Sequence, residues 1–319
     1  MFNFELPPLT WREARIPKKS GGFRKLEIPN DELKALQRRI LLYLYRNKDL
    51  RPSAMAHGFV PHRNTCTALT HHNTKAPVIL CMDIHDFFGT FPIEPVRARM
   101  IGAGIPATTV EKILTACTYK GHFPQGAPTS PYLTNVGMLD TDRVLAAYAK
   151  KHGYIYTRYA DDLTFSLREG ETLKNKRQAY FFFGVEKILS VMLGIHLKKA
   201  KSHEIRINSR AARRVTGVVI RKDGLGFNAP RRMRKNTRAG IHNLAERIRK
   251  NNGRVFGEDH ATWRKLLGSI LYMDNLRSYS PSEQVSGADP VIQETDFRYL
   301  CEKFNYTKGL EENGLVPDR

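Results

Sequence analysis

The sequence predicts an α+β fold built around an antiparallel sheet, and three observations carry that reading. The first is the stretch Tyr154 to Asp162, YIYTRYADD, followed by LTFS at Leu163 to Ser166. β-Branched and aromatic residues on both sides of two adjacent acids read as two strands joined by an Asp161-Asp162 turn. The second is Val78 to Met82, a continuous apolar run that ends at Asp83, the pattern of a buried central strand. The third is a set of segments with apolar residues at helical spacing, such as Leu33, Leu36, Ile40 and Leu44.

The acids at these strand ends are the chemical signal. Two carboxylates at a hairpin tip repel, and each becomes harder to ionise. An isolated Asp-Asp pair is commonly a surface turn. Here the apolar and aromatic flanks mark a half-buried hairpin that carries its acids to a defined place. Asp83 supplies a third carboxylate, with Asp86, Phe87 and Phe88 just beyond it. Asp83, Asp161 and Asp162 therefore form a candidate site for two magnesium ions, a hard cation that takes carboxylate oxygens. Two such ions serve phosphoryl transfer.

Composition narrows the partner. The 319 residues carry 52 Lys or Arg against 31 Asp or Glu, a formal net charge of +21. A charge of that size points to a polyanion, nucleic acid first and an acidic membrane second. No apolar run approaches the length of a membrane span. The first residues, MFNFELPPLTW, lack the basic flank and apolar core of a signal peptide. The four cysteines, Cys66, Cys81, Cys117 and Cys301, form no CxxC pair. Reduced thiols in a cytoplasmic protein are expected, with neither a zinc site nor a membrane partner.

Taken in order, residues 12–29 read as two short strands around a Lys-Lys-Ser-Gly-Gly turn. Asn30 or Asp31 caps a helix over Glu32 to Asn47. Residues 56–72 form a turn and a short helix, and His57, His62, His71 and His72 there are read as polar structural residues, since no metal-ligand spacing joins them. After the Asp83 strand, a helix is expected over 107–118. The loop at Gln125 to Asn135, QGAPTSPYLTN, opens a helix running to about Lys150, on which Asp140 and Asp142 read as surface or salt-bridge acids. A helix at about 174–193 is packed by Ala179, Phe182, Phe183, Val185, Ile188, Leu189 and Met192. Val215 to Ile220 reads as a strand.

The basic character is concentrated late in the chain. Lys198 to Arg254 holds 18 Lys or Arg against Glu204, Asp223 and Glu246. Arg231, Arg232, Arg234, Lys235 and Arg238 crowd a helix start after Pro230. Positive charge there opposes the helix macrodipole, and a bound phosphate backbone would offset the cost. The same helix carries Ile241, Leu244 and Ile248 for packing. Another helix at 260–276 places Trp263, Leu266, Leu267, Ile270 and Leu271 inward, and Tyr279 to Ala288 reads as a loop. From Glu283 onward eight acids face four bases, so that tail is not expected to hold RNA.

With YADD on a hairpin, the Asp83 to Phe88 strand end, QGAPTSP and Val215-Thr216-Gly217 in this order, the chain resembles reverse transcriptases of the bacterial retron type. The likeness runs from about Pro17 to about Ile220. It implies a right-hand polymerase fold: fingers over 1–76, palm over 77–225 with a fingers insertion at 93–124, and a helical thumb with the tail over 226–319. It implies that Lys18 and Arg24 grip the incoming nucleotide, that Phe88 lies under its sugar and selects deoxynucleotides, that Gln125 helps position template and nucleotide, and that Lys201 lies near the phosphates. It implies RNA-directed DNA synthesis from dNTPs on a cognate structured non-coding RNA that is both template and primer. The product would be a branched RNA–DNA (msDNA), made in anti-phage defence alongside a separate effector protein. Two positions depart from the pattern: Thr67 replaces an Asn expected before Ala68, and Lys198 replaces another Asn. A stand-alone defence enzyme using another RNA, a group II intron-like enzyme and a non-enzymatic RNA-binding protein remain the alternatives.

Overall fold

A computed structural model describes residues 4–18, 21–72, 74–171, 177–207, 211–221, 227–279 and 295–304. The chain divides into two compact units, Met1–Asn208 and Ser209–Arg319.

The first unit begins with β1 (Trp11–Pro17) and β2 (Phe23–Pro29), an antiparallel hairpin. Helix α1 (Asp31–Arg46) follows, and the Asn30 side chain accepts the Leu33 N–H as its cap. Leu33, Leu36, Ile40 and Leu44 are buried, as their spacing predicts. The short helix α2 (Thr65–Thr70) leads to β3 (Val78–Asp83). Next come α3 (Phe87–Thr90), α4 (Glu94–Gly102), α5 (Ala107–Cys117), α6 (Ser130–Gly137) and α7 (Leu139–Lys151). The hairpin β4 (Tyr154–Tyr159) and β5 (Asp162–Leu167), helix α8 (Arg177–Leu193) and β6 (His203–Arg206) complete it.

Strands β4, β5, β3 and β6 form one antiparallel sheet in that order. The apolar run of β3 is thereby paired on both sides. Aromatic rings fill the space between the sheet and α7 and α8. Phe181 lies 4.3 Å from Tyr154 and 5.1 Å from both Tyr148 and Phe165. His72 is enclosed, with its two ring nitrogens on Ser166 Oγ (2.8 Å) and Thr157 Oγ1 (2.7 Å). Burial pushes its pKa down to about 3, so the ring is neutral in the fold. His57 bonds Thr67 Oγ1 at 2.9 Å. Both histidines are structural, in line with their spacing.

The second unit contains a three-stranded antiparallel sheet, β7 (Arg214–Val215), β8 (Val218–Ile220) and β9 (Phe227–Asn228). Three helices follow: α9 (Arg231–Lys250), α10 (Gly257–Ser278) and α11 (Thr295–Lys303). Ile241, Leu244 and Ile248 of α9 are buried with Trp263, Ile270, Met273 and Leu276 of α10 and Phe297 and Leu300 of α11. All four cysteines are free thiols. No described helix is long and apolar enough to cross a membrane.

Several local expectations are corrected. The helix expected to run unbroken to Lys150 is divided at Met138. Gly137, a weak helix former, precedes the break, and a Cβ there would come within 2.6 Å of the Phe91 ring. Val215 to Ile220 is a tight hairpin, with Thr216 (φ 46°) and Gly217 (φ 85°) as its two turn residues. The buried row of α8 is Phe181, Val185, Leu189 and Leu193, whereas Phe183 and Met192 are exposed. Leu271 of α10 also faces outward, because the helix buries Met273 instead. Phe87 and Phe88, just beyond the Asp83 strand end, lie in the single helical turn α3. The expected loop at Tyr279 to Ala288 lies, beyond Tyr279, outside the described residues, as does the start of the helix placed at 174–176.

Candidate active site

The three acids meet because of strand register. Asp83 is the last residue of β3 and pairs directly with Asp162, the first residue of β5. Directly opposed residues in antiparallel strands have Cα atoms about 4.5–5.5 Å apart. Asp161 sits in the turn beside them. That turn consists of Ala160 and Asp161, one residue earlier than the sequence suggests, because Tyr159 and Asp162 still pair. Ala160 has φ 55°, a left-handed conformation at a residue with a side chain. Two backbone bonds pin the Asp83 end of β3: the Ile84 N–H donates to the Asp161 carbonyl (2.9 Å) and the Lys198 N–H to the Asp83 carbonyl (2.7 Å). At position 198 the backbone makes this bond, so it does not depend on an asparagine side chain.

The electrostatics follow from this crowding. Burial, followed by the charges of Asp161 and Asp83, pushes the Asp162 carboxyl up to about 6. Asp161 is raised as well, by burial and then by Asp83. Lys201 Nζ lies 2.6 Å from Asp83 Oδ2, and this hydrogen bond raises the Lys201 pKa. The charge of Arg24 acts on Asp161 in the same compensating sense. Crowded oxygen donors that resist ionisation suit a hard divalent cation. Among the described residues no three His, Cys, Asp or Glu side chains close tightly enough to cage an ion by themselves.

Around the acids lie the other expected residues. Arg24 pairs in register with Ile16 on the β1–β2 hairpin, and Lys18 is exposed where that hairpin turns, with its N–H on the Gly22 carbonyl (2.9 Å). The structure thus brings Arg24 within electrostatic reach of Asp161, while Lys18 stays at the turn. Phe88 is half-buried and Phe87 is core, their rings 5.4 Å apart. Gln125 Nε2 approaches Asp86 Oδ1 at 3.4 Å, and its carbonyl accepts the Glu27 N–H at 2.9 Å. Gly126 is required there: its φ is 138°, and a Cβ would lie 2.7 Å from the Glu27 carbonyl oxygen. Arg231, Arg232, Lys235 and Arg238 are exposed on α9 in the second unit, and Arg234 is half-buried.

Sequence reasoning missed one cluster beneath the hairpin. Asp142, read as a surface or salt-bridge acid, is a salt-bridge acid but a fully buried one. It takes both arms of the equally buried Arg158 guanidinium, Nε on Oδ1 (2.9 Å) and NH2 on Oδ2 (2.8 Å). An arginine inside a strand otherwise made of aromatic and β-branched residues was the available signal, since a buried charge needs a partner. Asp140, by contrast, is a surface acid paired with Arg99 and Arg143. Thr67 also has a defined place. Its Oγ1 accepts the Asn64 N–H (2.8 Å), completing the α2 capping box, and holds His57.

Paired antiparallel strands that bring three acids together, with a lysine bonded to one and the charge of an arginine felt at another, define a polymerase-class palm. The chain belongs to the reverse transcriptase family, and within it to the bacterial retron type. The family model described as reverse transcriptase (RNA-dependent DNA polymerase) matches residues 16–229. The chain is 37% identical to the Retron Mx65 reverse transcriptase of Myxococcus xanthus over 249 residues, 72% of this chain and 55% of that protein. It is 34% identical to the Retron Mx162 reverse transcriptase of the same organism, over 84% of this chain and 62% of that one. With the Retron Ec86 reverse transcriptase of Escherichia coli it shares 31% identity, over 84% of this chain and 82% of that protein. The chain thus spans a little over half the length of the two Myxococcus proteins. Among solved structures it is similar to telomerase from Candida albicans in complex with a TWJ fragment of telomeric RNA, at 10% identity and TM-score 0.50, covering 94% of this chain and 63% of that one. That likeness concerns the fold, which is α+β of the right-hand polymerase class.

Proposed function

We propose that this chain is an RNA-directed DNA polymerase that copies a cognate structured non-coding RNA, serving as template and primer, into DNA. The observation that carries the proposal is the cross-strand pair Asp83 and Asp162, with Asp161 beside it and Lys201 on Asp83. Asp83, Asp161 and Asp162 would hold two magnesium ions. Bound there, the ions lower the pKa of the attacking hydroxyl and neutralise the leaving pyrophosphate. The protein's own contribution is placement. The β3 and β5 ends fix the carboxylates, Lys201 and Arg24 offer positive charge to a triphosphate, with Lys18 at the hairpin turn, and Gln125 braces the loop beside Asp86. Fingers (1–76 and 93–124), palm (77–225) and thumb (226–319) are the division of labour that goes with this reading, and the basic start of α9 would grip RNA.

The reading extends to the retron product. Synthesis begins at an internal guanosine 2′-hydroxyl of the RNA and leaves a branched RNA–DNA, made in the cytoplasm in anti-phage defence with a separate effector protein. The similarity to three retron reverse transcriptases supports this. The test is expression of the gene with its flanking DNA, followed by a denaturing gel of extracted nucleic acid before and after RNase. A short single-stranded DNA that shifts on RNase treatment is expected. Absence of that DNA, with primer extension on poly(rA)/oligo(dT) intact, would leave a reverse transcriptase using another RNA.

Phe88 carries the sugar selection. Its ring is half-buried in α3, five residues beyond Asp83. Phe88→Ala is expected to raise ribonucleotide incorporation relative to deoxynucleotide by on the order of 10²-fold, the scale of a lost steric contact in a binding pocket. An unchanged ratio in single-nucleotide extension would remove Phe88 from this role.

A further inference from the structure

The hairpin tip is held from beneath by a buried polar cluster that the chemistry itself does not use. Arg158 lies on β4, three residues before Asp161, with no solvent exposure. Besides its two bonds to Asp142, its NH1 donates to Asn135 Oδ1 (2.9 Å) and to the Ala160 carbonyl (3.1 Å). Tyr156 Oη also donates to Asp142 Oδ1 (2.9 Å). Asn135 in turn donates from Nδ2 to the Gly58 carbonyl (3.0 Å). Gly58 sits against the tip so closely that a Cβ would lie 2.6 Å from the Ala160 nitrogen. The chain at 55–57 also pairs with Arg158 through its backbone, Arg158 N–H to Met55 O and His57 N–H to Arg158 O, both 2.7 Å. Helices α6 and α7 and the hairpin turn therefore converge on the Arg158 guanidinium, and the 55–58 segment on the Arg158 backbone and on Asn135.

The residue it grips matters. Ala160 is the left-handed turn residue immediately before Asp161 and Asp162. A non-glycine residue stays in that conformation only when its surroundings over-determine it. A buried ion pair is often no more stabilising than well-packed apolar residues of the same volume. Stability alone therefore gives little reason for a charge pair in this core, and geometric specificity does.

We propose that Arg158 is a positioning residue for the reaction. Its guanidinium, oriented by Asp142 and Asn135, holds the Ala160 carbonyl and so fixes the turn that presents Asp161 and Asp162 to metal and substrate. The inference rests on the metal-site assignment proposed above. Arginine is required because only a planar fork reaches a carboxylate bidentately and still has a donor for the turn.

The test replaces the pair as a unit, Arg158→Met with Asp142→Leu, which leaves no uncompensated buried charge. The double variant is expected to keep a wild-type thermal transition. Its kcat for primer extension should fall about 10- to 100-fold with little change in dNTP KM, and its affinity for Mn2+ alone, followed by electron paramagnetic resonance, should weaken by a similar factor. Wild-type kcat and Mn2+ affinity in the folded variant would overturn the proposal. If circular dichroism shows the double variant unfolded, Asn135→Ala decides. It removes one uncharged arm of the cluster, and unaltered Mn2+ affinity and kcat there would overturn the proposal equally. Asp161→Asn with Asp162→Asn, run in parallel, separates the two ideas. If that variant still extends primers, the metal assignment fails. If it is inert while the Arg158 and Asn135 variants are normal, only the positioning role fails.

Discussion

Replacing Asp161 and Asp162 together by Asn should reduce DNA synthesis to background while the protein stays folded and still binds RNA. A loss of at least about 10³-fold is expected, equivalent to roughly 4 kcal/mol of transition-state stabilisation. The reason is local. Asp162 faces Asp83 across the sheet and Asp161 adjoins them, so the two changes remove most of the charge that would hold divalent metal. The same changes should not harm the fold. The Asp162 carboxyl is pushed up to about 6 by burial and then by its two acidic neighbours, against about 4 in an unfolded chain. Between those values the folded chain binds more protons than the unfolded one, so this group's contribution to stability falls as pH rises. Asn removes that slope. In EDTA near neutral pH the variant should melt at or above the wild-type temperature, and the wild-type protein should lose its advantage at about pH 7 relative to about pH 4.5 more steeply than the variant. Retained primer extension would sink the metal assignment. Loss of activity accompanied by a lower melting temperature would mean that misfolding, not chemistry, had been measured.

The site was legible where its signal is local, and illegible where it depends on long-range burial. Asp83, Asp161 and Asp162 stand at the ends of runs whose period-2 and all-apolar patterns are strong, so strand identity and acid placement could be read together. The capping Asn30 and the buried row of α1 were readable for the same reason. Asp142 was not, because an acid among Asp140, Asp142 and Arg143 looks like any solvated helix face. Its partner Arg158 is 16 residues away on another element. Helix phase failed in α8, where aromatic and aliphatic residues occur all around the helix and composition cannot say which row meets the sheet. Thr216 illustrates a third limit. A β-branched residue with φ 46° is rare, so Val-Thr-Gly reads as strand although it turns. The Thr67 hydroxyl bonds His57 and the Asn64 backbone, a local role that its place in the sequence did not reveal.

The second large effect concerns RNA. Arg231, Arg232 and Lys235 are exposed in the first turns of α9, which has no acid there and no side-chain cap. Three cations at a helix N-terminus work against the macrodipole, a cost that a bound phosphate backbone offsets. Toward the other end of the same helix, His242 and Arg249 are engaged by the two oxygens of Asp296 on α11, at 2.8 and 2.7 Å. Part of the positive charge later in the helix is thus met by an acid of the same unit, whereas the first turn of α9 holds none. Arg234 is a poor choice for the test because it is half-buried, and its removal would mix packing with charge. Changing Arg231, Arg232 and Lys235 to Ala should favour the helix itself while removing up to three phosphate contacts. For three contacts at the single-strand coefficient, the slope of log K against log salt should shrink by about 2. If binding near 1 M salt is unchanged, affinity should fall about 500-fold at about 0.05 M salt and about 30-fold at about 0.2 M. Filter binding of the RNA proposed as template across that salt range measures both quantities. A reduced affinity with an unaltered slope would point to lost packing rather than lost phosphate contacts. No change in either would mean that the start of α9 is a solvated face and that RNA is held elsewhere.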